Sequence, residues 1–409
     1  MVEQPLIESR SAGARWRALP PWLRIGALYL AARAVTTGFF LIAAAMSGVG
    51  SRFGENATIA DFAVGWDAQW YWLTAVSGYP LELPLTDSGQ VAENQWAFMP
   101  IYAYLAAALG TVLGSWIAGA VVISLSAGYL SALVLYRLWL PRVGESAAMW
   151  AVLFFVSGPL AALFHVGYAE SLFMLWLFLA LLLVARRRYG WLYLVIPLMG
   201  FTRPGVLAFA LFLGLFGIWR WTRRRSEALS GREISHIVAL GALGVIVGFG
   251  WQVIAAVATG DAGAYLATEL AWRRNWLTGD ASGFIPFEGF IQGAEFWFVS
   301  WGSSALIGVI ALSIAVVGVS ALLLFHPAAR RVGVEIRWWA ASYLLYLLAV
   351  FFPQSSIFRL LVPLSPLWGA VAVPKRTAWR VGVVVVALVG QWWWIYNMYA
   401  LGNTYWQIP

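Results

Sequence analysis

Residues 24 to 47 read RIGALYLAARAVTTGFFLIAAAMS, and residues 66 to 79 read WDAQWYWLTAVSGY. The first is an apolar run long enough to cross about 30 Å of hydrocarbon, which takes roughly 20 apolar residues. The second places a carboxylate, Asp67, among Trp66, Trp70, Tyr71 and Trp72 just beyond that run. An ionisable group at a membrane edge is costly and is by default a functional group. The two stretches together predict a membrane-spanning helix with polar chemistry where it emerges.

Composition extends this reading to the whole chain. Of 409 residues, 62% are hydrophobic and only 11% are charged, which is the balance of an integral membrane protein. There is no cysteine, so disulfides, thiolate metal sites and cysteine nucleophiles are excluded. The three histidines, His165, His236 and His326, are too scattered for a histidine-rich metal centre. The 26 tryptophans fall often near the ends of apolar runs, where indoles favour the headgroup region. Lys375 is the sole lysine, an arginine bias that suggests a GC-rich bacterial genome. The net charge of +8 does not imply nucleic acid, because the basic residues form no groove or stripe. They cluster in short loops between apolar runs.

Those loops define a topology. Apolar runs near residues 24 to 47, 116 to 138, 146 to 165, 168 to 186, 190 to 203, 205 to 222, 236 to 258, 300 to 325, 337 to 352, 356 to 373 and 378 to 400 predict about eleven crossings. The expected fold is an all-α polytopic bundle, one membrane domain over residues 1 to 409, with external interfacial helices. With a cytoplasmic N-terminus, 20 of the 26 basic residues are cytoplasmic, among them Arg10, Arg15, Arg17, Arg142, the Arg186 to Arg188 run and the Arg223 to Arg225 run. Twelve of the 18 acids then lie outside. This requires residues 97 to 114 to form a re-entrant or interfacial helix, since a full crossing there would invert everything downstream. Arg33, inside the first span, is expected to snorkel to the cytoplasmic interface. Ala43, Ala44 and Ala45 offer small residues for signal cleavage, but the apolar run exceeds a typical signal core and favours an uncleaved anchor. Two external loops, 48 to 115 and 259 to 299, are long enough to suggest function.

This topology brings several distant polar residues to one external face. Asp67 either reacts or caps a helix. FMPIY, residues 98 to 102, opens the supposed re-entrant helix, with Pro100 suited to its first turn. GYAESLF, residues 167 to 173, holds Glu170 at a tight external turn just after His165; Glu170 either contacts a ligand or balances a helix dipole. Arg203, in Thr-Arg-Pro at 202 to 204, and Arg359, in SSIFRLLVP at 355 to 363, run against the charge asymmetry and need an anion nearby. A lipid phosphate fits the planar guanidinium fork; pairing with Glu170 or another acid is the rival. The stretch from Gly260 to Trp276 adds Asp261, Glu269, Arg273 and Arg274 on an external amphipathic helix.

The ordered set Trp66, Asp67, Trp70, Tyr71, Gly78, Tyr79, then Phe98, Pro100, Tyr102, then Tyr168 to Phe173, Thr-Arg-Pro, and Arg359 with Pro363 and Pro366 resembles the PIG-V-like mannosyltransferases of the GT-C glycosyltransferase superfamily. The likeness spans residues 66 to 366, with Ala103 and Ala169 departing from the usual pattern. It implies a GT-C-like bundle and transfer of mannose, with inversion, from polyprenyl or dolichyl phosphate mannose to a lipid or glycolipid hydroxyl on the extracytoplasmic face of the cell membrane. In that scheme Asp67 is the general base, and Arg359 and Arg203 hold the departing phosphate. Gln69, Tyr71, His165, Tyr168, Glu170, Glu269, Arg273 and Arg274 are candidate contacts for sugar or acceptor. No cofactor is expected; Asp67 and Glu170 together offer too few ligands to predict a divalent metal. The competing classes are a lipid or solute transporter, which would place charges near the midplane of an inverted repeat, and a noncatalytic subunit of a glycosyltransferase complex.

Overall fold

The computed structural model describes residues 16, 18–274, 283–403 and 408–409. Arg10, Arg15 and Arg17 of the expected cytoplasmic tail, and Asn275 and Trp276 of the expected external helix, lie outside the described residues. The chain is an all-helical membrane bundle: among the described residues there is no strand, only an isolated bridge between Leu85 and Val91. Among the described residues five helices are long and apolar enough to cross a membrane, Pro21–Met46, Trp116–Val156, Gly231–Thr259, Ala305–Phe325 and Thr377–Leu401. Shorter apolar helices, including Glu170–Ala185, Leu192–Gly200 and Val206–Thr222, complete the bundle.

Trp116–Val156 comprises two helical arms joined at Gly144, whose φ of 79° favours glycine, with Pro141 just before it. The expected spans 116 to 138 and 146 to 165 are its two arms. The second arm stops at Val156, followed by a 3-10 turn over Ala161–His165. That early stop explains Arg33, which does not snorkel. Its guanidinium turns inward and donates to the carbonyls of Val156 and Ala161, groups that an apolar interior cannot leave unpaired.

Contacts sort the charged residues to opposite ends. Arg24 pairs with Glu145 at 2.6 Å and Arg142 with Glu335 at 2.7 Å, while Arg220 meets Glu227 at 2.6 Å and Glu233 at 3.2 Å. Arg187, just past the C-terminal end of Glu170–Ala185, reaches the same Glu233 at 3.9 Å. Glu170 lies at the other end of that helix, roughly 24 Å away at 1.5 Å per residue.

The expected span at 356 to 373 is not one helix. It runs as Ile357–Leu360, a 3-10 segment Val362–Leu367 and Trp368–Val371, because Pro363 and Pro366 interrupt the ladder. The prolyl carbonyls are satisfied from elsewhere: Trp339 donates to Pro363 at 2.9 Å and Trp139 to Pro366 at 2.8 Å. Both indoles are fully buried, as are Trp96 and Trp394, so part of the tryptophan content serves the interior rather than the interface.

In the first long loop, Thr58 and Asp61 form a capping box on Ile59–Val64. Pro100–Leu113 begins beside Phe201, whose carbonyl accepts from the Ile101 amide at 3.0 Å, and turns at Gly114 into Trp116–Val156. Tyr102 and Ser124 join the two arms of this hairpin at 2.8 Å. It therefore packs as a hairpin arm. The second loop holds Ala264–Arg274 and, unexpected from sequence, Glu288–Ser300, which folds back on Ala305–Phe325 where Gly308 approaches the Ala294 carbonyl.

Candidate active site

Asp67 is the first residue of Asp67–Ser77. The preceding Trp66 has φ 52° and ψ −126°, a conformation that costs an L-residue energy and persists only when its surroundings impose it. They do so here. The Trp66 indole donates to the Met398 carbonyl at 2.9 Å, its ring meets Phe53 edge-on, and the Arg52 guanidinium lies 4.4 Å above it. On the other side, the Gly167 amide donates to the Ala63 carbonyl at 2.9 Å. A Cβ at Gly167 would lie 3.1 Å from the Ala68 methyl, so glycine permits the approach that brings the 166 to 169 turn against Asp67. Glu170 then starts the helix Glu170–Ala185, and both carboxylates sit at helix N-termini, where the macrodipole favours negative charge.

Two arginines complete the cluster. Arg359, on the four-residue helix Ile357–Leu360, donates from Nη1 to Asp67 Oδ2 and lies 3.1 Å from Glu170 Oε1. Arg203, in the turn between Leu192–Gly200 and Val206–Thr222, brings Nη2 to 3.3 Å from the same Oε1. The order is Asp67, Arg359, Glu170, Arg203, alternating in sign and drawn from four separate elements. The contacts on Glu170 are ion pairs without aligned hydrogen bonds, and Arg359 Nε is buried with no partner among the described residues. The Glu170 side chain is 2% exposed and that of Asp67 23%, so Asp67 is the more accessible of the two carboxylates. The Tyr168 ring lies under Arg359 at 5.4 Å, and Tyr343 donates to the Leu360 carbonyl at 2.6 Å, steadying the short helix.

The two readings of the arginines thus resolve first to an acid partner for each. Glu170 is buried between the two guanidiniums. Asp67 and Glu170 hold Arg359 between them. Among the described residues no group of three or more metal-ligating side chains occurs.

Glu269 approaches from Ala264–Arg274, hydrogen-bonded to Tyr265 and within the field of Arg203. The residue keeps part of its surface, yet enclosure of its carboxyl pushes it up to about 7 against the pull of Tyr265 and Arg203. Burial, followed by the Glu170 charge, holds the Tyr71 phenol well above its usual range, so Tyr71 is a neutral group beside the cluster.

Other expected contacts lie elsewhere. His165 sits between Arg33 at 3.0 Å and Thr37 at 3.1 Å. Gln69 is exposed and accepts from Arg52 at 3.0 Å. Arg273 donates to Gln292 and faces the Phe352 ring, and Arg274 donates to the Val91 carbonyl. With Asn94 bonded to Thr268 at 2.9 Å, these arginines tether the external helix. Tyr168, rather than making an exposed contact, is fully buried, with Tyr399 3.4 Å from its hydroxyl. Tyr399 and Tyr343 carried no local sequence signal, each lying in an apolar segment beside a second tyrosine, Tyr396 and Tyr346.

No protein family and no curated protein matches the chain. Among solved structures it is similar to ArnT from Cupriavidus metallidurans bound to undecaprenyl phosphate, at 15% identity and a TM-score of 0.49, over 87% of this chain and 62% of that one. It is also similar to the Archaeoglobus fulgidus oligosaccharyltransferase, at 14% identity and a TM-score of 0.46, over 90% of this chain and 52% of that one. The chain thus spans between half and two thirds of the length of either neighbour.

Proposed function

We propose that the chain is a membrane glycosyltransferase of the GT-C type. It moves mannose from a polyprenyl or dolichyl-type phosphate mannose to the hydroxyl of a lipid or glycolipid, on the extracytoplasmic face of a bacterial cell membrane, with inversion. The observation that carries this reading is the cluster itself: a reachable carboxylate and two guanidiniums at one end of an apolar bundle, with a buried acid fixing the guanidiniums.

In this reading the acceptor oxygen attacks the anomeric carbon as its proton passes to Asp67. The bond from that carbon to the phosphate oxygen breaks, and its electron pair leaves with the lipid phosphate, whose charge Arg359 and Arg203 neutralise. Phosphate so stabilised is a competent leaving group, so one base suffices and the paired carboxylates of a hydrolase are unnecessary. Positioned base catalysis is worth about 10² to 10⁴ in rate. No cofactor enters this scheme.

The test is transfer of radiolabelled mannose from polyprenyl phosphate mannose into lipid extract by purified protein, comparing wild type with Asp67→Asn. Transfer by wild type that is lost in a folded variant is the expected result. Transfer that survives the substitution moves the base elsewhere, and absence of transfer by wild type overturns the donor or the activity.

A further inference from the structure

The four charges of Asp67, Arg359, Glu170 and Arg203 cancel. An arriving anion therefore meets a neutral cluster, and gains attraction only if a guanidinium turns away from its carboxylate. Arg359 is the group placed to do so. Its Nη1 is engaged by both carboxylates, but its Nε is buried without a partner in a residue only 8% exposed. A guanidinium offers a planar fork matched to two oxygens of a phosphate, and here much of that fork is idle. The two carboxylates it holds also differ. Glu170 is sealed, and loss of Arg359 would leave Arg203 as its one counter-charge in the cluster, whereas Asp67 is partly exposed.

We propose that the Asp67–Arg359 pair is a latch opened by the phosphate of the lipid-linked substrate. In the resting site Arg359 holds Asp67. The phosphate displaces Asp67 from Nη1 as the guanidinium turns and brings its idle Nε to the second phosphate oxygen, so the base becomes competent only once the donor is in place. The inference rests on the proposed function for the identity of the anion, and it fixes an order: donor first, acceptor second.

The experiment measures binding of a polyprenyl phosphate carrying no sugar, with the uncharged prenol of equal length as control, to the full chain in lipid nanodiscs. Wild type, Asp67→Asn, Arg359→Gln and the double variant form a cycle. Because a neutral amide in place of the carboxylate no longer competes for Arg359, Asp67→Asn is expected to tighten binding by about tenfold, an order-of-magnitude figure for loss of one competing ion pair. In the Arg359→Gln background the same change should alter affinity less than about twofold. Arg359→Lys, which keeps the charge but loses the fork, provides a second background if Arg359→Gln does not fold; there the gain should fall below about threefold.

Unchanged or weakened binding by Asp67→Asn overturns the latch. So does equal tightening in both backgrounds, which would mark a general charge effect, and so does wild-type binding no stronger than that of the prenol. The outcomes separate from those for the activity. Sugar transfer with an unchanged Asp67→Asn affinity removes the latch and leaves the enzyme, whereas the expected cycle without sugar transfer keeps the latch and removes the mannose assignment.

Discussion

The Arg359 guanidinium meets the Asp67 carboxylate across 292 positions of sequence, and both elements that carry them are built to hold that meeting. Asp67 follows a strained tryptophan pinned from three sides, and Arg359 rides a four-residue helix tied down through the Leu360 carbonyl. Replacing Arg359 by Lys keeps one charge but loses the planar fork of the guanidinium. Transfer by a folded Arg359→Lys variant is expected to fall on the order of a hundredfold, the scale of losing one aligned donor at a developing charge. A rate within about threefold of wild type would remove Arg359 from the reaction.

Glu170 anchors both arginines from a buried position. Glu170→Ala leaves two guanidiniums facing each other without their shared anion, which costs about 3–5 kcal/mol. The melting temperature in detergent should drop clearly, and Glu170→Gln, which keeps the shape, should drop less. Equal stability of wild type and the alanine variant would show that the anion is dispensable to the fold.

Trp139 supplies the indole N–H that satisfies the Pro366 carbonyl. Trp139→Phe keeps most of the ring volume and removes that donor, leaving the carbonyl with the Trp368 amide alone, at a cost of about 1 kcal/mol. Thermal unfolding should register the loss, and transfer activity measured well below the transition should persist, because Trp139 touches no member of the charged cluster.

Glu269 predicts a pH dependence. Its folded value is raised from 4.5 to about 7, mainly by enclosure. The native state is therefore not penalised below the unfolded value, and stability is lost as pH rises through about 7, when the enclosed carboxyl ionises. Hydrogen exchange over Ala264–Arg274, corrected for intrinsic rates, should show protection declining between pH 4.5 and about 7. Glu269→Gln should flatten that profile, and a wild-type profile already flat would contradict the assignment.

The four charged residues of the cluster were visible in sequence because ionisable groups stand out in an apolar chain, and the two arginines ran against the charge asymmetry. Pairing of the arginines with Glu170 was one of two open readings; the choice depends on how the turns at Gly167 and Arg203 and the break at Pro363 set their relative heights. His165, Arg273 and Arg274 read as site residues for the same reason, being polar groups near the right face, yet each is absorbed by a local partner. Helix content followed from the length of the apolar runs, whereas the early stop at Val156, the fragmentation after Leu360 and the extra helix Glu288–Ser300 depended on side chains from remote segments. Arg33 shows the limit clearly: its position in a span suggested escape to the interface, and only the carbonyls of Val156 and Ala161 give it a reason to stay inside.

The fragmented stretch from Ile357 to Val371 has a bearing on biogenesis. A continuous helix closes its own hydrogen bonds and can wait alone in the bilayer before docking. This one cannot, because the carbonyls opened at Pro363 and Pro366 are closed by Trp339 and Trp139, both of which emerge from the ribosome earlier. Its insertion is thereby coupled to tertiary assembly: expressed without the preceding segments, residues 353 to 374 should integrate into microsomes poorly, and the guanidinium of Arg359 reaches its carboxylates only after the rest of the chain has prepared a place for it.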